Sequence, residues 1–464
     1  MKKYESVRVF SILCICIFSN NSVDAQQQAK AVPRAEAKTA FRVEMNSIAC
    51  LAFSPDGTKL AVGGGLLPRD HGGVGDAAVL VLDAASGKEQ ARHILPGKKG
   101  LGANGNPISS VQFAPDGKTI AASNYEDVFF WEPATGRVAM LPRQFDMGRS
   151  TPAKRSLAFS PDGKFLAVGG PVGPIEIWDV ATKKLSRALN GLGGVAAISH
   201  DGKLFAYGTK AVSLWDAAIT TRERMSEDEL AFVIEANISV LEDLVFSPDD
   251  QTIAATGWEC VKMWKVRKHQ GSWKLDQCAA LYGHVGSVYD VAYSPDGKLL
   301  TTSSGLCTKL WDATDGRPLA SLLRRRRAVF SPDSKTAVAV AAQQDRESIE
   351  IWNVADLLEP QNVSAKAKAD VEEMLKLTRA GGKARVLEME AIGPDAKTVL
   401  PMLIEAIRDK DPNVRRRAVI AIINLGEWGK PALPAVREAR NDEDQSVREW
   451  AGAVLRIVGG EIDE

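Results

Sequence analysis

The chain has 464 residues, 45% of them hydrophobic, and its 58 Lys and Arg residues balance 58 Asp and Glu residues. Balanced charge excludes a protein whose whole surface attracts nucleic acid or an anionic membrane. The apolar fraction suffices for sizeable cores, and the length predicts about two to four domains.

The first 25 residues have the pattern of a secretory signal peptide. Basic residues precede a short apolar run, Val9–Phe18, and Val23-Asp24-Ala25 offers a small-residue cleavage site. We therefore expect an exported protein, periplasmic or extracellular, with no integral membrane span once the signal is removed. Retention of the segment as an N-terminal anchor is the alternative. Residues 26–36 follow as a linker.

Seven copies of one short turn phrase follow along the chain. Each copy has an aromatic or aliphatic residue, a small residue, usually Pro, then Asp, then usually Gly. Pro presets its backbone angle, Asp can bond the local backbone, and Gly tolerates a positive φ, so each copy predicts a tight turn. The copies begin at Phe53, Phe113, Phe159, Ile198, Phe246, Tyr293 and Phe330.

Short apolar runs flank each turn, and a Trp ends the third run in six copies. Together with a second turn after the Trp, these runs predict four antiparallel strands per copy. Such a sheet cannot bury both faces alone, so the sheets must stack radially into a ring. We expect Ala40–Glu44 to supply the strand that the last copy lacks and so to close the ring. The six Trp residues are Trp131, Trp178, Trp215, Trp264, Trp311 and Trp352, and Leu82 takes the equivalent place in the first copy.

These turns and the Trp-Asp endings resemble WD-repeat β-propellers over about residues 37–358. The resemblance implies an all-β seven-bladed β-propeller. In that family a His, a Ser or Thr, a tight-turn Asp and the Trp form a hydrogen-bonded network within one blade. Only the sixth copy offers Gly283-His284, and its tight turn, Ser304–Cys307, has no Asp. We therefore expect this network to be incomplete in every blade, which leaves mainly apolar packing.

Long insertions gather around the first and last copies. The resemblance places Gly64–Asp76 and the connection Pro96–Pro107 on one face, and ring closure brings the connection into the seventh copy next to them. Long loops on a rigid scaffold are where binding usually resides. We hypothesise a basic binding sector for an acidic protein segment or an acidic polymer, and solvated loop charge is the alternative. The sector comprises Lys98, Lys99, Arg324, Arg325, Arg326 and Arg327.

After Trp352 the periodicity changes, with a linker at 359–367, helical sequence over 368–460 and a short tail at 461–464. Matching positions recur at an interval of 33 residues, as in Asp411 and Asp444. This region resembles HEAT-like helical repeats, which implies an all-α α-solenoid of about three helix pairs. A plain helical bundle is the alternative. We expect helices at Thr398–Arg408 and Pro412–Leu425, with Gly426 as a stop.

No sequence motif in the chain carries catalysis. The nucleophile elbow, the His-Glu-x-x-His pair and the phosphate-binding Gly-Lys-Thr loop are absent. The cysteines that remain after export, Cys50, Cys260, Cys278 and Cys307, fit no zinc or haem pattern. A disulfide between Cys260 and Cys278 is one interpretation, and small buried thiols are the favoured one. We expect no catalytic residue, no metal site and no cofactor.

The sequence therefore predicts an exported, non-enzymatic protein–protein interaction scaffold, a monomer or part of a complex. Its partners would be other proteins or acidic polymers, without specific nucleic acid. The alternative is a propeller enzyme or a carbohydrate-binding protein of the cell envelope, which inward-facing acidic or His residues at the channel would favour. Lyase-like activity of the helical region on a bound chromophore has weak support, since fold alone does not set function.

Overall fold

A computed structural model gives the structure of the protein. It describes residues 39–45, 47–66, 76–96, 106–142, 156–170, 174–189, 194–216, 232–235, 240–269, 272–305, 307–343, 346–358, 364–379 and 396–459.

Blades one to four are four-stranded antiparallel sheets in which consecutive strands are neighbours. Blade one has β2 (Ser47–Phe53), β3 (Lys59–Gly65), β4 (Ala77–Asp83) and β5 (Glu89–Leu95), and blade two has β6 (Ser110–Phe113), β7 (Ile120–Ser123), β8 (Val128–Glu132) and β9 (Arg137–Met140). Blade three has β10 (Ser156–Phe159), β11 (Phe165–Gly169), β12 (Ile175–Asp179) and β13 (Lys184–Leu189), and blade four has β14 (Val195–Ile198), β15 (Leu204–Gly208), β16 (Ala211–Asp216) and β17 (Phe232–Glu235).

Blades five and six are joined because one long strand serves both. That strand, β21 (Ser272–Tyr293), is outermost in blade five and continues as the innermost strand of blade six. Blade five also has β18 (Asp243–Phe246), β19 (Thr252–Thr256) and β20 (Trp258–His269), and blade six has β22 (Leu299–Ser304), β23 (Cys307–Asp312) and β24 (Pro318–Leu323).

The N-terminal segment completes blade seven, as predicted. Strand β1 (Thr39–Arg42) pairs with β27 (Arg346–Asn353), which pairs through β26 (Thr336–Gln343) with β25 (Arg325–Phe330). The register sets Phe41 opposite Ile349. Each innermost strand contacts those of the two neighbouring blades, and β25 of blade seven contacts β2 of blade one. The chain therefore forms a closed seven-bladed β-propeller.

The repeated turn phrase makes the same hydroxyl–carboxylate contact in every blade except blade two, where Ala114 replaces the Ser. In blade one the Ser54 hydroxyl donates to Asp56 Oδ1 at 2.6 Å, and Gly57 has a φ of 72°. Where the phrase ends in another residue the left-handed backbone is kept, since Asp250 has a φ of 57° and Ser334 one of 59°. The turn geometry is thus set by the fold and is favoured, not dictated, by Gly.

The repeat Trp residues act as buried wedges. Each of the six is at most 7% exposed, and Leu82 is 1% exposed in the equivalent place. They belong to separate apolar clusters that join one blade to the next, such as the cluster that holds Trp131 with Ile108 of the connection from blade one. Apolar packing between blades is therefore the main support of the ring, as expected from the sequence.

Helices follow the last strand. They are α1 (Val354–Leu358), α2 (Ser364–Arg379), α3 (Ala396–Ala406), α4 (Pro412–Leu425), a 3₁₀ helix (Gly426–Ala432), α5 (Leu433–Ala439) and α6 (Gln445–Ile457). The helix predicted at Pro412–Leu425 is confirmed, and it stops before Gly426, where the 3₁₀ helix begins. The helix predicted at Thr398–Arg408 spans Ala396–Ala406. The expected first repeat unit continues into residues 380–395, which lie outside the described residues. No helix in the described part of the chain is long and apolar enough to span a membrane.

The helical region contacts the propeller at two places. Val354 and Leu357 of α1 pack into the apolar cluster that contains Trp352 and Phe330. Strand β21 contacts both α4 and the 3₁₀ helix. The strand shared by blades five and six therefore also contacts the helical region.

Candidate functional site

The innermost strands of the blades enclose a central channel. Its cavity has a volume of about 520 Å³. Small side chains such as Ala158, Ala197 and Ala292 form part of the wall and leave this space open. The channel is thus large enough for a small molecule or a partner's side chain.

One residue per blade, three positions before the first residue of each turn phrase, forms a layer in this channel. We call this set the channel layer, and all its members except Val195 line the cavity. The strand registers confirm that the positions are equivalent, because each described partner lies near the end of the second strand, as with Ser110 opposite Ser123 and Asp290 opposite Ser303. The layer consists of Cys50, Ser110, Ser156, Val195, Asp243, Asp290 and Arg327.

Several members of the channel layer tie one blade to the next. Ser156 Oγ accepts a hydrogen bond from the Ala196 N–H at 2.9 Å. Asp243 accepts from the Val291 N–H of blade six at 3.3 Å and from its own neighbour's N–H. These bonds give the layer a structural role in addition to any binding role.

Arg327 enters the channel from an irregular piece of backbone. It lies where the pairing of β25 with β26 shifts by one residue, and its φ is 60°. Its Nη1 donates to both oxygens of Asp290, at 2.7 and 2.9 Å. Burial lowers the pKa of Arg327, but the Asp290 carboxylate outweighs burial and holds the pKa above its usual value. Bulges commonly re-aim a side chain next to a functional site.

The structure places most of the predicted basic sector differently from the sequence hypothesis. Arg325, Arg326 and Arg327 do not lie in a connecting loop but open the innermost strand β25. Each pairs with a carboxylate: Arg325 with Glu350 at 2.8 Å, Arg326 with Glu347, and Arg327 with Asp290. The prediction of a loop at these three positions is wrong. The three residues belong to a strand, and their side chains form ion pairs with acidic residues of blades six and seven.

The rest of that sector stays a prediction. Arg324 is exposed and has a φ of 54°. Lys98 and Lys99 lie outside the described residues, and so do residues 67–75 of the insertion Gly64–Asp76. Whether the sector binds an acidic partner therefore depends on three side chains, not six.

Blade six contains a polar network that the sequence did not lead us to expect. Trp311 Nε1 donates to Thr302 Oγ1 at 2.7 Å, and His284 Nε2 is also 2.7 Å from that hydroxyl. Cys307 Sγ lies 3.6 Å from His284 Nδ1, where the expected Asp is missing. Burial lowers the pKa of His284 well below its usual range, so the ring is neutral. The prediction that the network is incomplete here is wrong, because a thiol completes the contact set.

An exposed apolar patch lies at the same end of blades five and six as the channel layer. Trp258 is 55% exposed and Tyr289 is 40% exposed. They flank a backbone hydrogen bond of 3.0 Å between the Val288 N–H and the Gly257 carbonyl. Val240, 51% exposed, lies at the start of the chain into blade five. We call Trp258 and Tyr289 the aromatic patch. Sequence reasoning missed it, although Trp258 stands outside the repeat Trp position.

None of the four cysteines in the described part of the chain forms a disulfide. Cys50 and Cys307 are buried, as the favoured interpretation expects, but Cys278 is exposed and Cys260 partly so. The strands that carry Cys260 and Cys278 pair with Cys260 opposite Tyr282, so the two cysteines are out of register. Within the described residues no group of three or more His, Cys, Asp or Glu side chains is placed to hold a metal ion.

The helical region is held by arginine–carboxylate contacts between successive repeats. Arg415, 8% exposed, donates to Asp442 at 2.8 Å and to the carbonyls of Asp409 and Lys410. Arg448, at the equivalent position 33 residues later, donates to the carbonyls of Asp442 and Glu443. The 33-residue period is therefore visible in the contacts as well as in the sequence.

Comparison with known proteins supports both parts. Residues 275–312 match the family model described as WD domain, G-beta repeat, and residues 383–456 match the model of HEAT repeats. The first match spans the blade-six network, from the outermost strand of blade five to the Asp after Trp311. No curated protein matches the chain.

The two matches agree with the closed ring and with the helices that follow it. WD and HEAT repeats joined in one chain indicate a protein-interaction scaffold. The chain is therefore a WD-repeat β-propeller that carries HEAT-like repeats at its C-terminal end.

Proposed function

We propose that this protein is an exported, non-enzymatic scaffold that binds another protein through the aromatic patch. The observation that carries the proposal is the exposure of Trp258 and Tyr289 side by side on neighbouring blades. Exposed aromatic residues are costly to leave in water and are enriched at the centres of protein interfaces.

The rigidity of the surroundings supports this proposal. The patch rests on β20 and on β21, which is shared by two blades and contacts the helical region. A partner bound there would meet a surface with little conformational freedom to lose, which favours affinity. We also propose that the helices form a short α-solenoid, so that the chain presents two repeat surfaces.

The test of binding replaces the patch and compares it with another exposed apolar residue. The variant Trp258→Ser with Tyr289→Ser is expected to lose at least one protein that co-purifies with the natural chain. Met140→Ser is the matched control, because Met140 is 46% exposed on blade two. Retention of every co-purifying protein by the double variant would overturn the role of the patch.

The export part of the proposal has its own test. N-terminal sequencing of the protein recovered from its native cells is expected to begin after Ala25. A cytoplasmic protein that begins at Met1 would contradict it. The non-enzymatic part of the proposal is tested by incubating the purified protein with any small molecule that co-purifies with it. We expect no conversion of that molecule, and turnover would contradict the proposal.

A further inference from the structure

Three groups of the channel layer and its neighbourhood keep hydrogen-bonding capacity toward the cavity. Arg327 uses only Nη1 for Asp290, and within the described residues its Nε and Nη2 make no hydrogen bond. Gln112 lines the cavity and uses its Oε1 to accept from the Phe159 N–H at 3.1 Å, which leaves its amide donors. The Ser110 hydroxyl lines the cavity as well and can donate and accept.

The charges of the cavity argue against a strongly charged ligand. An anion drawn to Arg327 would also meet the carboxylates of Asp243 and Asp290. A cation drawn to those carboxylates would meet the Arg327 guanidinium, which already contacts Asp290. The cavity is surrounded by carboxylates, a guanidinium, an amide and hydroxyls. This mixture of donors and acceptors suits a neutral ligand whose groups both donate and accept hydrogen bonds.

Hydroxyl groups meet this requirement, and a sugar carries several of them on a compact ring. The cavity of about 520 Å³ lies within the usual range for small-molecule sites. Size and polarity therefore agree.

The backbone at Arg327 adds an independent observation. A non-glycine residue with a φ of 60° inside a strand is in a strained backbone conformation. Such strain persists where the surroundings fix it, and here it directs a guanidinium into the cavity.

We propose that the channel layer binds a neutral saccharide, one sugar ring of which is held by Arg327, Ser110 and Gln112 and by the carboxylates of Asp243 and Asp290. This is a small-ligand site distinct from the protein-binding aromatic patch, and it does not depend on the scaffold proposal.

The test uses the full chain and defined probes. Saturation-transfer NMR with maltose, cellobiose and diacetylchitobiose is expected to show binding of at least one disaccharide, with the affinity then measured by calorimetry. Spermidine and citrate serve as the cationic and anionic probes. Binding of spermidine or citrate in place of every sugar would overturn the proposal, and so would the absence of binding by all three sugars.

Two variants place the ligand in the channel. Arg327→Asn keeps a residue that tolerates the left-handed backbone and is expected to weaken sugar binding by about tenfold or more. Lys183→Asn is the matched control, since Lys183 also has a positive φ, of 58°, but lies in a turn of blade three. Sugar affinity that is equal in these two variants would overturn the site.

A milder variant protects the test against loss of fold. Ser110→Ala removes a hydroxyl that makes no hydrogen bond within the described residues, so the ring should fold normally. We expect it to weaken sugar binding by about threefold to tenfold. An unchanged affinity in a folded Ser110→Ala protein, together with an unchanged affinity in Arg327→Asn, would assign the sugar to another surface.

Discussion

The propeller and the helical region are both built from repeats, but their recurring polar contacts lie in different places. In the propeller the contact that recurs lies within one turn, as between Ser54 and Asp56, while apolar clusters and a few channel-layer bonds join the blades. In the helical region arginine–carboxylate pairs join one repeat to the next, as Arg415 does with Asp442. A ring gives every blade two neighbours to pack against, whereas in the helical region these pairs help to join one repeat to the next.

The last described helix, α6, differs from α4 at two positions that are equivalent in the 33-residue period. Val419 and Ile423 of α4 are at most 2% exposed. The equivalent positions of α6, 33 residues later, hold Gly452 and the exposed Arg456. A polar outer face is typical of a capping repeat. No blade of the propeller needs such a change, because the ring has no end.

The comparison predicts that the ring depends most on its closure. Phe41→Ala should destabilise the propeller by about 3–5 kcal/mol, because Phe41 is 8% exposed and packs against blades one and seven. Denaturant unfolding followed by near-ultraviolet circular dichroism of the Trp residues measures this. Thr39→Ala, an exposed change on the same strand, should shift stability by less than about 0.5 kcal/mol. Equal effects of the two changes would mean that β1 does not close the ring.

The helical region should depend most on its pairs between repeats. Arg415→Ala should cost about 3 kcal/mol, because it leaves the largely buried Asp442 carboxylate without its partner. The side-chain hydrogen bond to Asp442 raises the pKa of Arg415, which agrees with a favourable pair. The measurement is the helical circular dichroism signal during denaturant unfolding. Arg416→Ala, which loses one contact to Asn413, is the control, and an equally large loss there would refute the special role of Arg415.

Blade six should differ from its neighbour in the response to loss of one hydroxyl. Thr302→Val leaves Trp311 Nε1 and His284 without their shared partner and should cost about 1–3 kcal/mol. Thr256→Val in blade five should be neutral or stabilising, because the buried Thr256 hydroxyl has no hydrogen-bond partner among the residues that the structure describes. Thermal unfolding of both variants measures the contrast. A cost for Thr256→Val as large as that for Thr302→Val would show that the blade-six network adds nothing to packing.

Much of the fold could be predicted because its signals are local. The turn phrase, the Trp spacing and the 33-residue helical period each lie within a short stretch of sequence. Ring closure by the N-terminal segment followed from the one strand that blade seven lacked. Each of these rests on turn chemistry and periodicity, which a single sequence displays directly.

The candidate sites could not be predicted in the same way. Asp290 and Arg327 are far apart along the chain and meet only because ring closure and strand register set them side by side. Cys307 completes the His284 contacts although its residue type does not match the expected pattern. The aromatic patch depends on which end of β20 stays uncovered, and exposure follows from the neighbours of a strand, not from its sequence.

The smallest effect concerns the turn chemistry that all blades share. The hydroxyl of Ser54, followed by the Thr58 N–H and hydroxyl, lowers the pKa of Asp56 to about 2. A depressed carboxyl pKa adds stability above the unfolded pKa of about 4, and this contribution is lost as the pH falls toward about 2. Asp56→Asn should therefore lower the unfolding temperature slightly at neutral pH, and the difference from the natural chain should shrink as the pH falls from about 4 to about 2.

The control is Asp116→Asn in blade two, where Ala114 replaces the Ser. The Asp116 side chain accepts hydrogen bonds from the backbone N–H groups of Lys118 and Thr119. If the unfolding temperature changes less with pH in the Asp116 comparison than in the Asp56 comparison, the Ser54 hydroxyl strengthens the turn. If the two comparisons give the same pH dependence, the backbone hydrogen bonds alone account for the effect. The turn contacts would then be equally strong in both blades.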